Sequence, residues 1–294
     1  MLMGTLAWSA MFAAFALIVP YASTPAHPLP GYMLFLACLV PWALWLAALL
    51  RRRGGAESAS AVVAIATVLA FTYPAEIVAT YGRYWQYFED RDVLVGVRLG
   101  GVPIEEFFFY PLMLALALWL YLQACEQIRA RRLANLSFPR GRLPHMLLAM
   151  SILCFLLCLW ALARPEGLVN LPASRSWDDT AVPHFSEGRR DYAWTATCLA
   201  GLGGSLGVLY LAELTTLLQL RAVLPATLVF FTMGMLIDLL GVSHGWWVYN
   251  TQRVSPFWLG PIPVENLAMY LCGVPETVAI FEFARRLFGE RRTA

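Results

Sequence analysis

Apolar runs of about 20 residues recur along this 294-residue chain, separated by short polar stretches. One bilayer-crossing helix needs about 20 mostly apolar residues. Eight such spans are legible, near 5–22, 31–50, 61–81, 104–124, 144–163, 193–213, 222–243 and 262–284. The expected fold is an all-α integral membrane protein of about eight transmembrane helices. The first span is read as a retained helix rather than a leader. No positive charge precedes it, and Pro20 leads into another apolar segment instead of a small-residue cleavage site.

Composition agrees. The chain is 60% hydrophobic and 14% charged, against about 25% charged in soluble domains. Its net charge of +2 carries no signal for nucleic acid. All 21 basic residues are Arg. With eight spans, 13 of these 21 fall on the side of the termini, Arg51–Arg53, Arg129, Arg131, Arg132, Arg140, Arg142 and Arg221 among them. The positive-inside rule then places the termini in the cytoplasm, most simply of a cell inner membrane. The basic run at 129–142 is explained by topology and anionic lipid. The six Cys residues lie in or beside apolar spans without metal-ligand spacing, so they read as buried thiols, and no metal or cofactor is expected.

The chain also repeats itself. "EIVATYGRYWQY" from Glu76 and "DLLGVSHGWWVY" from Asp238 align at a shift of 162, which matches Glu76 with Asp238, Trp85 with Trp247 and Tyr87 with Tyr249. Further on the shift is 160, matching Gly100 with Gly260, Pro103 with Pro263, Glu105 with Glu265 and Tyr110 with Tyr270. Each unit reads as an acid near a helix end, an aromatic cluster, a loop, Gly, Pro-x-Glu and the next helix. Residues 1–125 form a first repeat, 126–143 a basic linker and 144–294 a second repeat. The third and seventh spans run in the same direction, so both units open on one membrane face, away from the cytoplasm. Parallel repeats of this kind are related by an axis along the membrane normal and can face each other across one cavity. The polar 164–192 loop lies on the same side and reads as solvated.

Carboxylates at bilayer depth cost about 2.5–3.5 kcal/mol each on insertion scales. Glu282 precedes Arg285 and Arg286 by three and four residues, and a helix-surface ion pair accounts for it. Glu213 reaches a span end. Glu276 has no repeat partner. Glu76, Asp238, Glu105 and Glu265 each have a counterpart, and Glu106 stands beside Glu105. Capping of helix N-termini after Pro103 and Pro263 explains one Glu per repeat. It does not explain Glu106, nor the approach of Glu76 and Asp238 from the preceding helix. Neighbouring residues on a helix point about 100° apart, so Glu105 and Glu106 cannot face one cavity equally.

Dinucleotide fingerprints, P-loops, nucleophile elbows and metal clusters are missing from the sequence. "GLGGSLG" at 201–207 sits inside an apolar span and reads as helix packing. What remains is a set of carboxylic acids among Trp, Tyr and Phe. Apolar surroundings keep a carboxyl protonated near neutral pH, and aromatic faces stabilise a carbocation. This equipment suits acid-initiated chemistry on an apolar alkene, and equally a proton-coupled transporter.

"GRYWQYFEDRDVLVGVRLGGVPIEEFFFYPL" resembles the signature of the membrane-integral lycopene cyclases, which occur as heterodimers, as single chains and fused to phytoene synthase. The family pattern is an acid at a helix end, G-x-W with aromatics, and P-[IV]-E-E before apolar aromatics. The first repeat supplies Glu76, Gly82, Trp85, Pro103, Glu105 and Glu106; the second supplies Asp238, Gly245, Trp247, Pro263 and Glu265. Glu76 stands where Asp is commoner, Asn266 replaces the second Glu of the second motif, and His244 stands where the first repeat has Gly82. The resemblance implies a single-chain fusion of two half-enzymes acting on lycopene or a related acyclic carotenoid in the bilayer, alongside other carotenoid-pathway enzymes. It implies a redox-neutral β-cyclisation. Glu105 or Glu106 would be the acid, Glu265 or Asp238 the base or relay, and Glu76 a further catalytic carboxylate. Trp85, Tyr87, Phe107, Tyr110, Trp247, Tyr249, Asn266 and Tyr270 would contact substrate, with Asn266 orienting Glu265 or a water. A hydratase using the same first cation and a non-catalytic carotenoid carrier are the other readings.

Overall fold

The computed structural model describes residues 31–81, 84–87, 97–130, 143–163, 193–214, 220–243, 246–250, 254 and 257–290. The predicted 5–22 span, the 164–192 loop, His244 and residues 131–142 of the basic linker lie outside them. Seven helices are described: α1 (Gly31–Arg53), α2 (Gly55–Tyr81), α3 (Ile104–Ala130), α4 (Leu143–Ala163), α5 (Ala193–Leu214), α6 (Leu220–Ser243) and α7 (Val264–Glu290). Six are long and apolar enough to cross a membrane, and the apolar stretch of α4, His145–Ala161, is shorter.

These helices fall on the second to eighth predicted spans. They overrun them where polar residues follow: α2 begins at Gly55, before Glu57, and α3 continues through Glu126 to Ala130. An apolarity criterion stops where hydrocarbon stops, whereas backbone hydrogen bonding continues into the polar zone. Helix hydroxyls turn inward on the helix itself. Ser60, Thr72, Thr232 and Thr277 each donate to the carbonyl four residues earlier, which satisfies them in an apolar medium. The surface is inverted relative to a soluble protein. Phe71 is 75% exposed, with Val62, Val78 and Leu228 similar, while Glu76, Glu105, Glu106, Asp238, Glu265 and Glu282 are buried. Lipid covers the former, and only the bundle interior can hold the latter. The protein is a multi-pass integral membrane protein.

Helices α1, α2 and α3 reappear as α5, α6 and α7. Helix α1 packs on α3 and α5 on α7, while α2 packs on α7 and α3 on α6, so the repeats interlock rather than sit side by side. Helix α4 lies outside this arrangement against α5. Their contact is built from small residues. A Cβ at Gly203 would stand 3.1 Å from the Cys154 Cβ, one at Gly207 would stand 3.2 Å from the Ser151 hydroxyl, and Ser151 donates to the Gly203 carbonyl at 2.7 Å. The glycine-rich 201–207 segment is thus a close-approach surface in the membrane.

The aromatic clusters form short strands. β1 (Trp85–Tyr87) pairs antiparallel with β4 (Trp247–Tyr249), placing Trp85 opposite Tyr249 and Tyr87 opposite Trp247. Each Trp faces the Tyr of the other repeat and Gln86 faces its own equivalent, Val248, so the register is unchanged when the repeats exchange. A pseudo-two-fold axis therefore passes between the central pair, Gln86 and Val248. Each repeat adds a short hairpin, β2 (Arg98–Leu99) with β3 (Val102–Pro103) and β5 (Trp258–Leu259) with β6 (Ile262–Pro263). Gly100 and Gly101 both have positive φ, as a type I′ turn requires; in the second hairpin only Gly260 does, and Pro261 follows it, which matches type II′. The same fold is reached with different turn chemistry.

Candidate active site

At one end of the bundle the C-terminal parts of α2 and α6 meet the N-terminal parts of α1, α3 and α7 around the β1–β4 ribbon. Between them lies a cavity of about 60 Å³, several times the ~10–15 Å³ that one water requires. Tyr32 and twelve further residues line it. The twelve form six repeat-related pairs: Glu76 with Asp238, Trp85 with Trp247, Tyr87 with Tyr249, Glu106 with Asn266, Phe109 with Met269, and Tyr110 with Tyr270. The cavity sits on the pseudo-two-fold axis and belongs to both repeats at once.

Glu76, one turn and more before the end of α2, is held by three donors. The Trp85 indole reaches Oε1 at 2.9 Å, the Tyr87 hydroxyl reaches the same oxygen at 2.8 Å, and the Tyr110 hydroxyl reaches Oε2 at 2.5 Å. Glu106, in the first turn of α3, accepts from the Tyr32 hydroxyl at 2.6 Å, and the Tyr87 hydroxyl also lies within its reach. In the second half, Asp238 accepts from the Tyr249 hydroxyl at 2.7 Å and from the Asn266 amide at 3.1 Å, and Tyr270 bonds it as Tyr110 bonds Glu76. The Asn266 amide also donates to the Tyr249 hydroxyl, and the Trp247 indole donates to that hydroxyl at 3.2 Å. Burial, with Glu106 and Glu76 close by, pushes the Tyr87 phenol well above its usual range, and burial beside Asp238 does the same for Tyr249. Both therefore remain protonated donors to the carboxylates.

Two glycines make this packing possible. A Cβ at Gly241 would lie 2.2 Å from the Trp247 ring, and one at Gly234 would lie 2.2 Å from the Tyr270 ring. Both rings rest directly on the α6 backbone. Tyr32 closes the other wall, stacked among Phe35, Phe109, Trp246 and Trp247 with ring centroids 5.4–6.4 Å apart.

Of the residues singled out in the sequence, Glu76, Trp85, Tyr87, Glu106, Tyr110, Asp238, Trp247, Tyr249, Asn266 and Tyr270 converge on the cavity. Glu105, Glu265 and Phe107 do not line it. Glu105 is fully buried in the first turn of α3. Glu265 accepts from the Thr195 hydroxyl at 2.6 Å, towards α5. The Phe107 carbonyl accepts from Tyr73, whose ring lies 4.7 Å from its own. The Asn266 amide donates to Asp238, on α6, and to the Tyr249 hydroxyl. Sequence reasoning missed Tyr32, Phe109 and Met269. The 160-residue shift pairs the last two, so the repeat held that signal; Tyr32, at the start of α1, lies outside the quoted motifs. The expected pairing of Glu282 with Arg285 within α7 is present at 2.5 Å; the Glu282 carboxylate is itself buried and also accepts from the Tyr121 hydroxyl at 2.8 Å, while Arg285 stays partly exposed.

A family model described as lycopene cyclase matches residues 29–124 and 191–284. No curated protein and no solved structure matches the chain. The two matched segments coincide with α1–α3 and α5–α7, the interlocked units that build the cavity, and they cover most of the sequence. The chain belongs to the lycopene cyclase family, as a membrane-embedded enzyme of carotenoid biosynthesis.

Proposed function

We propose that this enzyme is a lycopene β-cyclase in which Glu106 is the acid and Asp238 the base. The observation that carries the reading is the convergence of three carboxyl groups and seven aromatic rings from the two repeats, with Tyr32 as an eighth, on one cavity at a bundle end. Three donors hold Glu76, the more fully hydrogen-bonded of the two neighbouring carboxyl groups. A second charge beside it is opposed by the first, which leaves a proton on Glu106. Asp238 is held by Tyr249, Tyr270 and Asn266 in a manner suited to a carboxylate.

In the reaction, the Glu106 carboxyl donates its proton to the terminal double bond of the acyclic end group. The neighbouring double bond attacks the tertiary cation, and one carbon–carbon bond closes a six-membered ring. Asp238 removes a proton from the ring carbon that bears the polyene, leaving the ring double bond. One proton enters and one leaves, and no electrons are exchanged with a third party. The faces of Trp85, Trp247 and the tyrosines stabilise the intermediate cations. The bound end group itself would have to displace water that could trap them as alcohols. The arginine distribution supports a site on the face away from the cytoplasm.

Expression in a lycopene-accumulating bacterial host tests this. A product of unchanged mass bearing β-rings is expected. A product one water heavier would replace the reading with a hydratase. Unaltered lycopene with the protein present in the membrane would overturn it.

A further inference from the structure

Among the six symmetric pairs lining the cavity, five conserve chemical type across the axis: acid with acid, Trp with Trp, Tyr with Tyr twice, and Phe with Met. Glu106 and Asn266 alone differ in charge. The surroundings of the odd pair are also symmetric. Tyr32 donates to Glu106, and the 162-residue shift carries Tyr32 onto Trp194. The equivalence holds in space, because Tyr32 packs on Trp246 and Trp247 as Trp194 packs on Tyr84 and Trp85. Yet the Trp194 indole N–H is buried and makes no hydrogen bond among the described residues, and neither does the buried Asn266 Oδ1. The amide cannot simply be turned over, since its oxygen would then face the Asp238 carboxylate instead of donating to it.

We propose that the second half of the cavity is a dormant acid site, complete except for its carboxylate, and that the Glu106/Asn266 pair alone decides which half donates the proton. This rests on the cyclase reading above. The dormant half keeps a carboxylate counterpart of Glu76 in Asp238, its tyrosine donors Tyr249 and Tyr270, and an unused donor in Trp194. A carboxylate at position 266 would stand to Asp238 as Glu106 stands to Glu76, with the Trp194 N–H in the role of the Tyr32 hydroxyl. The substrate end group would then bind rotated by half a turn about the axis. Rotation preserves handedness, so the product would be unchanged. The pair is thus a positioning and specificity determinant for the direction of the reaction within a nearly symmetric site.

The test is the exchange Glu106→Asn with Asn266→Glu, with pigments analysed in the lycopene-accumulating host and membrane protein quantified. Cyclic product from the wild-type chain checks the cyclase reading separately. Glu106→Asn alone is expected to fall about 100-fold or more, the scale of a lost general acid. The double variant is expected to reach at least about a tenth of wild-type turnover, about ten-fold or more above Glu106→Asn alone. Sensitivity to the donors should move with the acid. Tyr32→Phe should slow the wild type and leave the double variant unaffected, and Trp194→Phe should do the reverse. A double variant present at wild-type level but no faster than Glu106→Asn would overturn the inference. Should the double variant not accumulate, the single donors decide: Trp194→Phe as damaging as Tyr32→Phe in the wild-type background overturns it, and Trp194→Phe without effect beside a damaging Tyr32→Phe upholds it.

Discussion

At the scale of single residues, position on a helix separates two adjacent and chemically identical groups. Glu105 and Glu106 open α3 together, and the ~100° step between neighbours sends only Glu106 to the cavity wall. Glu106→Gln keeps the shape and removes the transferable proton. Turnover should fall about 10²-fold or more, within the range for a general acid, with expression intact. Glu105→Gln should stay within about 10-fold of wild type, below that range. Product formation per unit of membrane protein checks both, and equal losses would remove the distinction. The doublet itself was legible in the sequence. Which member faces inward depends on how α3 is rotated about its axis, and packing against α1, α6 and α7 sets that.

Helices and ribbons carry the next set of consequences. Trp247 can lie against α6 only because position 241 has no side chain. Gly241→Ala would drive a methyl to within 2.2 Å of its ring. The ring must shift, and a misplacement of about an ångström at a reacting centre costs on the order of 10–100-fold. Turnover of Gly241→Ala should therefore fall on that scale while the protein still inserts, as pigment analysis and membrane immunodetection would show. Gly203→Leu acts at a different interface. It would force α4 away from α5, where the present Cβ position already meets Cys154 at 3.1 Å. Since no α4 residue lines the cavity, the expected result is a lower thermal midpoint in detergent with near-normal turnover at low temperature. Loss of turnover without loss of stability would show that α4 acts on the site. The glycine-rich segment was correctly read as packing from its setting in an apolar span. Gly241 and Gly234 gave no such signal, because the rings they admit are close to them in space only after the chain has turned.

Across the whole molecule, the site end and the far end are coupled through interlocked repeats. At the far end, Arg53 binds Glu57 at 3.4 Å and Glu126 at 2.5 Å, and Arg285 approaches Glu57 at 3.8 Å while binding the buried Glu282. This cluster ties α1, α2 and α3 to α7. Arg285→Ala would leave the Glu282 carboxylate with Tyr121 as its remaining partner. A destabilisation of about 2 kcal/mol is expected, read as a lower thermal midpoint in detergent; an unchanged midpoint would show that solvent already screens the pair. The site end makes a kinetic prediction. One cavity on the axis accommodates one end group at a time, so the two ends of a symmetric carotenoid react in successive binding events. With lycopene in excess, a one-ring product should appear before any two-ring product. Two-ring product at the earliest times, with no one-ring species, would require both ends to react without release.

Sequence and fold thus divide the information unevenly. Apolarity is a short-range signal, so apolar runs located the seven described helices to within about six residues at each end, and rare residue types at an offset of 162 and then 160 revealed the repeat. The offset also carried Glu76 onto Asp238 and the Trp and Tyr clusters onto each other, which placed most of the cavity wall before any coordinates. Three things needed the folded chain. The aromatic clusters became paired strands because each found its partner 162 residues away, a contact no local window contains. Tyr32 joined Glu106 because α1 packs on α3 across 74 intervening positions. Glu106 was separated from Glu105, and Asn266 from Glu265, by helix rotation, which follows from the sum of many side-chain contacts and is written in no single motif. Composition and spacing select the groups that can do acid chemistry in a membrane, and only three-dimensional packing decides which of them share a cavity.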